Sequence, residues 1–161
     1  MDPKKFKHTV TIKIASLNLP IDGRLEVQPK LKKGKKIIKL FGSPVPHSPS
    51  ITIVNQETKI SLLSFFDAAS NKYIEIDKYQ TQHPPKNSQE DYAISIKLTN
   101  LATKTKYNGG ELTLNFMNLI NDRKYNFKST EKLRGFPSSA VARITYSVVI
   151  SREVELDHNS F

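Results

Sequence analysis

The chain has 161 residues and a hydrophobic content of 37%, which suits one two-layered core rather than two domains. The formal net charge of +10 predicts attraction to phosphate-rich or acidic partners, namely nucleic acid, anionic lipid head groups or acidic protein segments. The absence of cysteine excludes disulfides, thiolate catalysis and cysteine zinc sites, and it suits a reducing cytoplasm.

The opening MDPKKFKHTV lacks the apolar stretch of a secretory signal, and Asp2 stands where myristoylation needs glycine. Period-two alternation begins at once, with Phe6, His8, Val10, Ile12 and Ile14 against Lys7, Thr9, Thr11 and Lys13, and predicts a first strand that ends at Asn18-Leu19-Pro20. A second strand follows on Arg24 to Leu31, where Leu25, Val27 and Leu31 alternate with Arg24, Glu26, Gln28 and Lys30. Pro29 lacks a donor, which points this strand to a sheet edge or a bulge. The run Lys32-Lys33-Gly34-Lys35-Lys36 reads as a hairpin tip, and Ile37 to Phe41 as the third strand. The proline-bearing stretch from Gly42 to Ser50 reads as a loop.

Ile51 to Val54 and Lys59 to Phe66 predict a fourth strand or a bulged pair, and Lys72 to Asp77 a fifth. Residues 80–91 are the most polar stretch and read as a mobile loop. Three further strands carry Tyr92, Ile94, Ile96 and Leu98; then Leu112, Leu114 and Phe116; then Ala142, Ile144, Tyr146, Val148 and Ile150. Between the last two, Asn118 to Leu133 has room for a short helix. The expectation is a single all-β domain over 1–161, an antiparallel eight-stranded β-sandwich with its core at about 6–152 and a C-terminal tail at about 153–161.

With the strands placed, the order of features resembles a C2 domain, and most closely the divergent N-terminal C2 group. TVTIKIASLNLPID is similar to that family's first strand and L-x-x-L-P turn. GRLEVQPKLKKGKKIIKL resembles its strand and basic hairpin, and Asn55-Gln56-Glu57 with Ile60, Leu62 and Phe66 resembles its N-E-x-F-x-F strand. AISIKLTNLATKTKYNGGELTLNF is similar to the strand, third loop and following strand, with Gly110 in place of the usual glycine. The resemblance implies a membrane-docking or protein-docking sandwich whose hairpin lysines form a basic patch. The chain departs from the calcium-binding members, whose loops carry several aspartates, because calcium takes about 6–8 oxygen ligands. Thr99, Leu101 and Tyr107 stand at the matching third-loop positions, and the first loop offers Asp22 alone, read as a turn residue before Gly23.

The candidate anion-binding or lipid-binding residues are Lys30, Lys32, Lys33, Lys35, Lys36 and Lys39. The same lysines also suit a solvated edge that blocks sheet-to-sheet pairing. A second basic group, Arg123, Lys124, Lys128, Lys132 and Arg134, is interleaved with Tyr125 and Phe127; the rings suit base stacking or the anchoring of a surface loop. His8, His47, His83 and His158 lie far apart with no metal-ligand spacing. The carboxylate sets Glu75 with Asp77, and Glu153, Glu155 with Asp157, read as solvated. No nucleotide-binding or nucleophile-elbow motif is present, so no catalytic residue, cofactor or metal is assigned. The resulting expectation is a non-catalytic, calcium-independent cytoplasmic module on the membrane periphery. Its partner is anionic phospholipid (phosphoinositide or phosphatidylserine) or an acidic protein. The alternatives are a nucleic-acid-binding sandwich of viral or nucleoprotein type and a structural assembly subunit.

Overall fold

The computed structural model describes residues 5–76 and 91–156, with the side chains of 153–156 left aside. Ten strands and one short helix follow in the order β1 (Lys5–Asn18), β2 (Leu25–Lys33), β3 (Lys36–Leu40), β4 (Val45–Pro46), β5 (Thr52–Asp67), β6 (Lys72–Glu75), β7 (Tyr92–Asn100), β8 (Lys106–Leu114), α1 (Phe116–Asn121), β9 (Asn126–Lys132) and β10 (Arg143–Leu156). One sheet runs β6-β5-β1-β10-β9; the other runs β3-β2-β7-β8, with β4 also paired to β2. The strand pairings are antiparallel, so the two sheets form an antiparallel β-sandwich.

The alternation of β1 is what places the core. Val10, Ile12 and Ile14 are fully buried in one cluster with Ile94, Ile96 and Leu98 of β7, which β2 joins through Val27 and Leu31. Each buried strand residue removes apolar area from water at about 25 cal/mol per Å². Because side chains alternate, the opposite faces are left with Lys, Thr and Ser. The proposed mobile loop at 80–91 falls, apart from Asp91, outside the described residues, as do His83, His158, Asp77 and Asp157. β10 continues to Leu156, past the expected start of the tail at 153.

Several elements differ from expectation, each for a local reason. Pro29 lies in an inner strand, between β7 and the β3/β4 side. Its carbonyl accepts the Phe41 N–H at 3.3 Å, so its nitrogen points to that same side, at the gap between β3 and β4 where no ladder bond is lost. Gln28 Nε2 closes the gap by donating to the Gly42 carbonyl at 2.7 Å. The fourth strand is one element, β5, the first of the two forms expected, carried through an irregularity at Asn55, whose φ of 47° is a left-handed conformation that asparagine tolerates.

Phe116 does not continue the β8 alternation but opens α1, capped by Asn115, whose Oδ1 accepts the Asn118 N–H at 2.9 Å. β4 and β9 are additional strands; β9 occupies the region expected to hold only a helix and connection. Gly109 and Gly110 lie inside β8. A register shift opposite Ser95 and Lys97 marks a bulge there, and Gly110 has φ +103°. A Cβ on Gly110 would come within 3.0 Å of Leu133 Cβ, because Arg134 bridges to Glu111 along that edge.

Candidate functional site: the lysine hairpin and the end of the sandwich

The β2–β3 hairpin carries all six candidate lysines, but strand geometry sends them in different directions. Lys30 and Lys32 share the outward parity of β2, whereas Lys33 shares the inward parity of Leu25, Val27 and Leu31. At the sheet's end this turns Lys33 toward Glu75, with Nζ to Oε2 at 3.0 Å and Nζ 5.4 Å from the Tyr92 ring centre. Lys32 Nζ lies 3.5 Å from Glu111 Oε2 on the outer face. Lys30 is half-buried; Lys35, Lys36 and Lys39 are exposed, and none of these four has an acidic partner among the described residues. Ile37 and Leu40 sit on the same edge strand, 49% and 55% exposed, across from Lys32 and Lys30.

Glu75 is therefore a buried ion-pair residue, not a solvated carboxylate as the sequence suggests. Its side chain also accepts the Tyr92 hydroxyl at 2.7 Å. The alternation of β6 allows either face. What decides it is the arrival of Lys33 and Tyr92 from the other sheet, which no local pattern reports.

The second basic group is dispersed. Arg123 and Lys124 stand in the turn after α1, Lys128 and Lys132 point outward from β9, and Arg134 belongs to the other sheet, where its Nη2 donates to Thr113 Oγ1 at 2.9 Å. Phe127 packs edge-on against Tyr146 at 6.0 Å and anchors β9, while Tyr125 stays 41% exposed. Burial, and then the Glu131 carboxylate that accepts its hydroxyl, push the Tyr146 phenol well above its usual value.

Of the histidines, His47 is structural: its Nε2 donates to the Ile21 carbonyl at 2.6 Å and its Nδ1 meets Thr52 Oγ1 at 3.1 Å, which fastens the β1–β2 loop. His8 is 1% exposed and its Nδ1 lacks a hydrogen-bond partner. Burial, then the neighbouring Arg152 charge, hold its pKa below the ordinary 6.5. In the β7–β8 loop, Asn100 Oδ1 accepts the N–H groups of Ala102 and Thr103, and Leu101 N–H bonds to the Arg24 carbonyl. This loop contains no carboxylate. Among the described residues no cluster of three or more His, Asp or Glu could hold a metal, and no helix is long and apolar enough to cross a membrane.

No family model matches the chain. No curated protein sequence matches it either. Solved structures do. The C2 domain designated A of a plant extended synaptotagmin 1 superposes with a TM-score of 0.54 at 13% identity, over 91% of this chain and 96% of that one. A structure of CC2D1B gives 0.53 at 8% identity over 91% of this chain, and the calcium-bound pair of C2 domains, A and B, of extended synaptotagmin 2 gives 0.56 at 9% over 90%. This chain spans 63% and 46% of the latter two. At these identities the likeness is one of architecture: the chain folds as a C2-like antiparallel β-sandwich.

Proposed function

We propose that the protein is a non-catalytic, calcium-independent C2-like module that docks on anionic membrane lipid through the β2–β3 hairpin. The observation that carries this reading is the pairing, on one hairpin, of Lys30, Lys35, Lys36 and Lys39, which lack acidic partners among the described residues, with the exposed apolar side chains of Ile37 and Leu40. Ammonium groups meet phosphates while the two aliphatic side chains enter the interface. At about 1 kcal/mol per basic residue the four lysines supply about 4 kcal/mol, which makes docking reversible and salt-sensitive. Lys32 and Lys33, tied to Glu111 and Glu75, serve as the hairpin's footing. Calcium has no part in this reading, since Asp22 is the sole carboxylate between β1 and β2 and the β7–β8 loop offers none.

Sedimentation with phosphatidylcholine vesicles containing rising fractions of phosphoinositide, in chelator, tests it. Binding rises with the acidic lipid, falls with salt, and is lost when Lys30, Lys35, Lys36 and Lys39 all become Gln. Retention unaffected by the quadruple substitution defeats the reading, and capture of an acidic protein in place of vesicles transfers the hairpin to that partner.

A further inference from the structure

At the end of the sandwich away from the β1–β2 and β7–β8 loops, a cavity of about 450 Å³ is lined by His8, Tyr73, Arg123, Tyr125, Ile150 and Arg152. Its walls come from the start of β1, from β6, from the end of β10 and from the turn between α1 and β9. The turn is fixed to β10 because Ile150 N–H donates to the Tyr125 carbonyl at 2.7 Å. Arg123, beside it, has φ 59°, a costly conformation for a residue other than glycine.

Neither Arg123 nor Arg152 has a carboxylate partner among the described residues; Arg152 lies over the Phe6 ring at 5.4 Å. His8, on the same wall, is buried with its Nδ1 unbonded. A buried polar atom without a partner costs about 1–3 kcal/mol. Two guanidinium groups without a carboxylate therefore share one cavity with two tyrosines and such an imidazole.

We propose that this cavity binds a phosphomonoester carried on a small ring-bearing body. The dianion matches two guanidinium groups, whose planar forks favour phosphate oxygens. The volume exceeds what a bare phosphate fills, and Tyr73, Tyr125 and Ile150 supply apolar walls for a ring. The ester belongs either to a soluble molecule or to a lipid head group. The site shares no residue with the hairpin, so it stands or falls separately from the docking reading. Among the described residues, the charged and titratable groups that line the cavity with His8 are Arg152 from β10, Tyr73 from β6, and Arg123 and Tyr125 from the α1–β9 turn. An anion placed among them offsets the Arg152 charge and raises the affinity of His8 for a proton.

The test is an NMR titration of the full chain, following the His8 ring and the Tyr125 amide. The probes are inorganic phosphate, free inositol monophosphate, and vesicles containing phosphatidylinositol monophosphate. Saturable shifts with the free ester or the vesicles, and a rise of about 1 unit in the His8 pKa, are expected. Saturation by vesicles alone assigns the ester to lipid; saturation by the free ester assigns it to a soluble ligand. Replacing Arg123 and Arg152 together by Gln weakens binding by about tenfold or more per guanidinium, whereas K59Q, at an exposed position of β5 outside both the cavity and the hairpin, leaves it unchanged. Should the double Gln variant not fold, R123K/R152K keeps the charge and must still weaken binding through loss of the forks. Absence of saturation with every organic probe overturns the proposal, as does binding that survives the arginine substitutions or that K59Q weakens equally.

Discussion

Lys33 and Glu75 form an ion pair that joins the two sheets: Lys33 comes from β2, Glu75 from β6, and their charged atoms lie 3.0 Å apart beneath the hairpin turn. Tyr92 of β7 completes the triad by donating its hydroxyl to the same carboxylate oxygen. A carboxylate that is 8% exposed and already committed to two donors is part of the fold.

Glu75→Gln is therefore expected to destabilise the protein by about 1–3 kcal/mol, since it removes two charge-assisted hydrogen bonds and leaves Lys33 partly buried without its counter-ion. Urea denaturation at neutral pH measures this. Lys35→Gln, at an exposed position, changes stability by less than about 0.5 kcal/mol in the same assay. Equal effects of the two substitutions would refute the structural role.

Ile37→Asp with Leu40→Asp is expected to leave stability nearly unchanged, because both side chains are about half exposed, while abolishing the part of vesicle binding that persists in high salt. Sedimentation at two ionic strengths separates this apolar part from the lysine contribution, which salt screens.

The pH dependence of stability carries the signature of His8. Its folded pKa lies below the unfolded 6.5, so between those values the unfolded chain binds more protons than the folded one. The contribution is complete above pH 6.5 and is lost as pH falls from there through the depressed folded value. Urea midpoints from about pH 8 to about pH 5 should show this loss, and His8→Leu should remove it. An unchanged slope in His8→Leu would place the titration elsewhere.

Gly110→Ala is expected to destabilise by more than about 1 kcal/mol, because alanine is strained at φ +103° and its methyl would press on Leu133 Cβ and the Arg134 carbonyl. Gly23→Ala shares the strained φ, but nothing lies within 4 Å of its Cβ. The difference between the two variants in thermal unfolding isolates the packing of the Leu133–Arg134 segment against β8.

Much of the sandwich is legible in the chain, because burial on one face writes itself as alternation. Val10, Ile12 and Ile14 in β1, and Ile94, Ile96 and Leu98 in β7, are each fully buried as their parity requires. The same rule has no purchase where a strand meets something non-local. Pro29 is tolerated in an inner strand because its nitrogen faces a gap set by the separate arrivals of β3 and β4. Phe116 follows Leu112 and Leu114 at strand spacing in the sequence yet begins a helix, since Asn115 caps the turn. Within the candidate site, clustering along the chain locates the hairpin but not the inward turn of Lys33. Local pattern does not foretell the cavity either: its members come from positions 8, 73, 123, 125, 150 and 152, scattered over four segments, and the one signal is a histidine in the apolar phase of a strand.

The footing of the hairpin has a mechanical corollary. With Lys33 clamped to Glu75, Lys32 paired to Glu111, and Gly34 N–H bonded to the Asp91 carbonyl at 2.9 Å, both the base and the bend of this ribbon are held before any partner arrives. A prong preset in this way forfeits little backbone freedom on contact; under the docking we propose, a modest number of ammonium groups would then be enough to register on a crowded anionic layer and still let go.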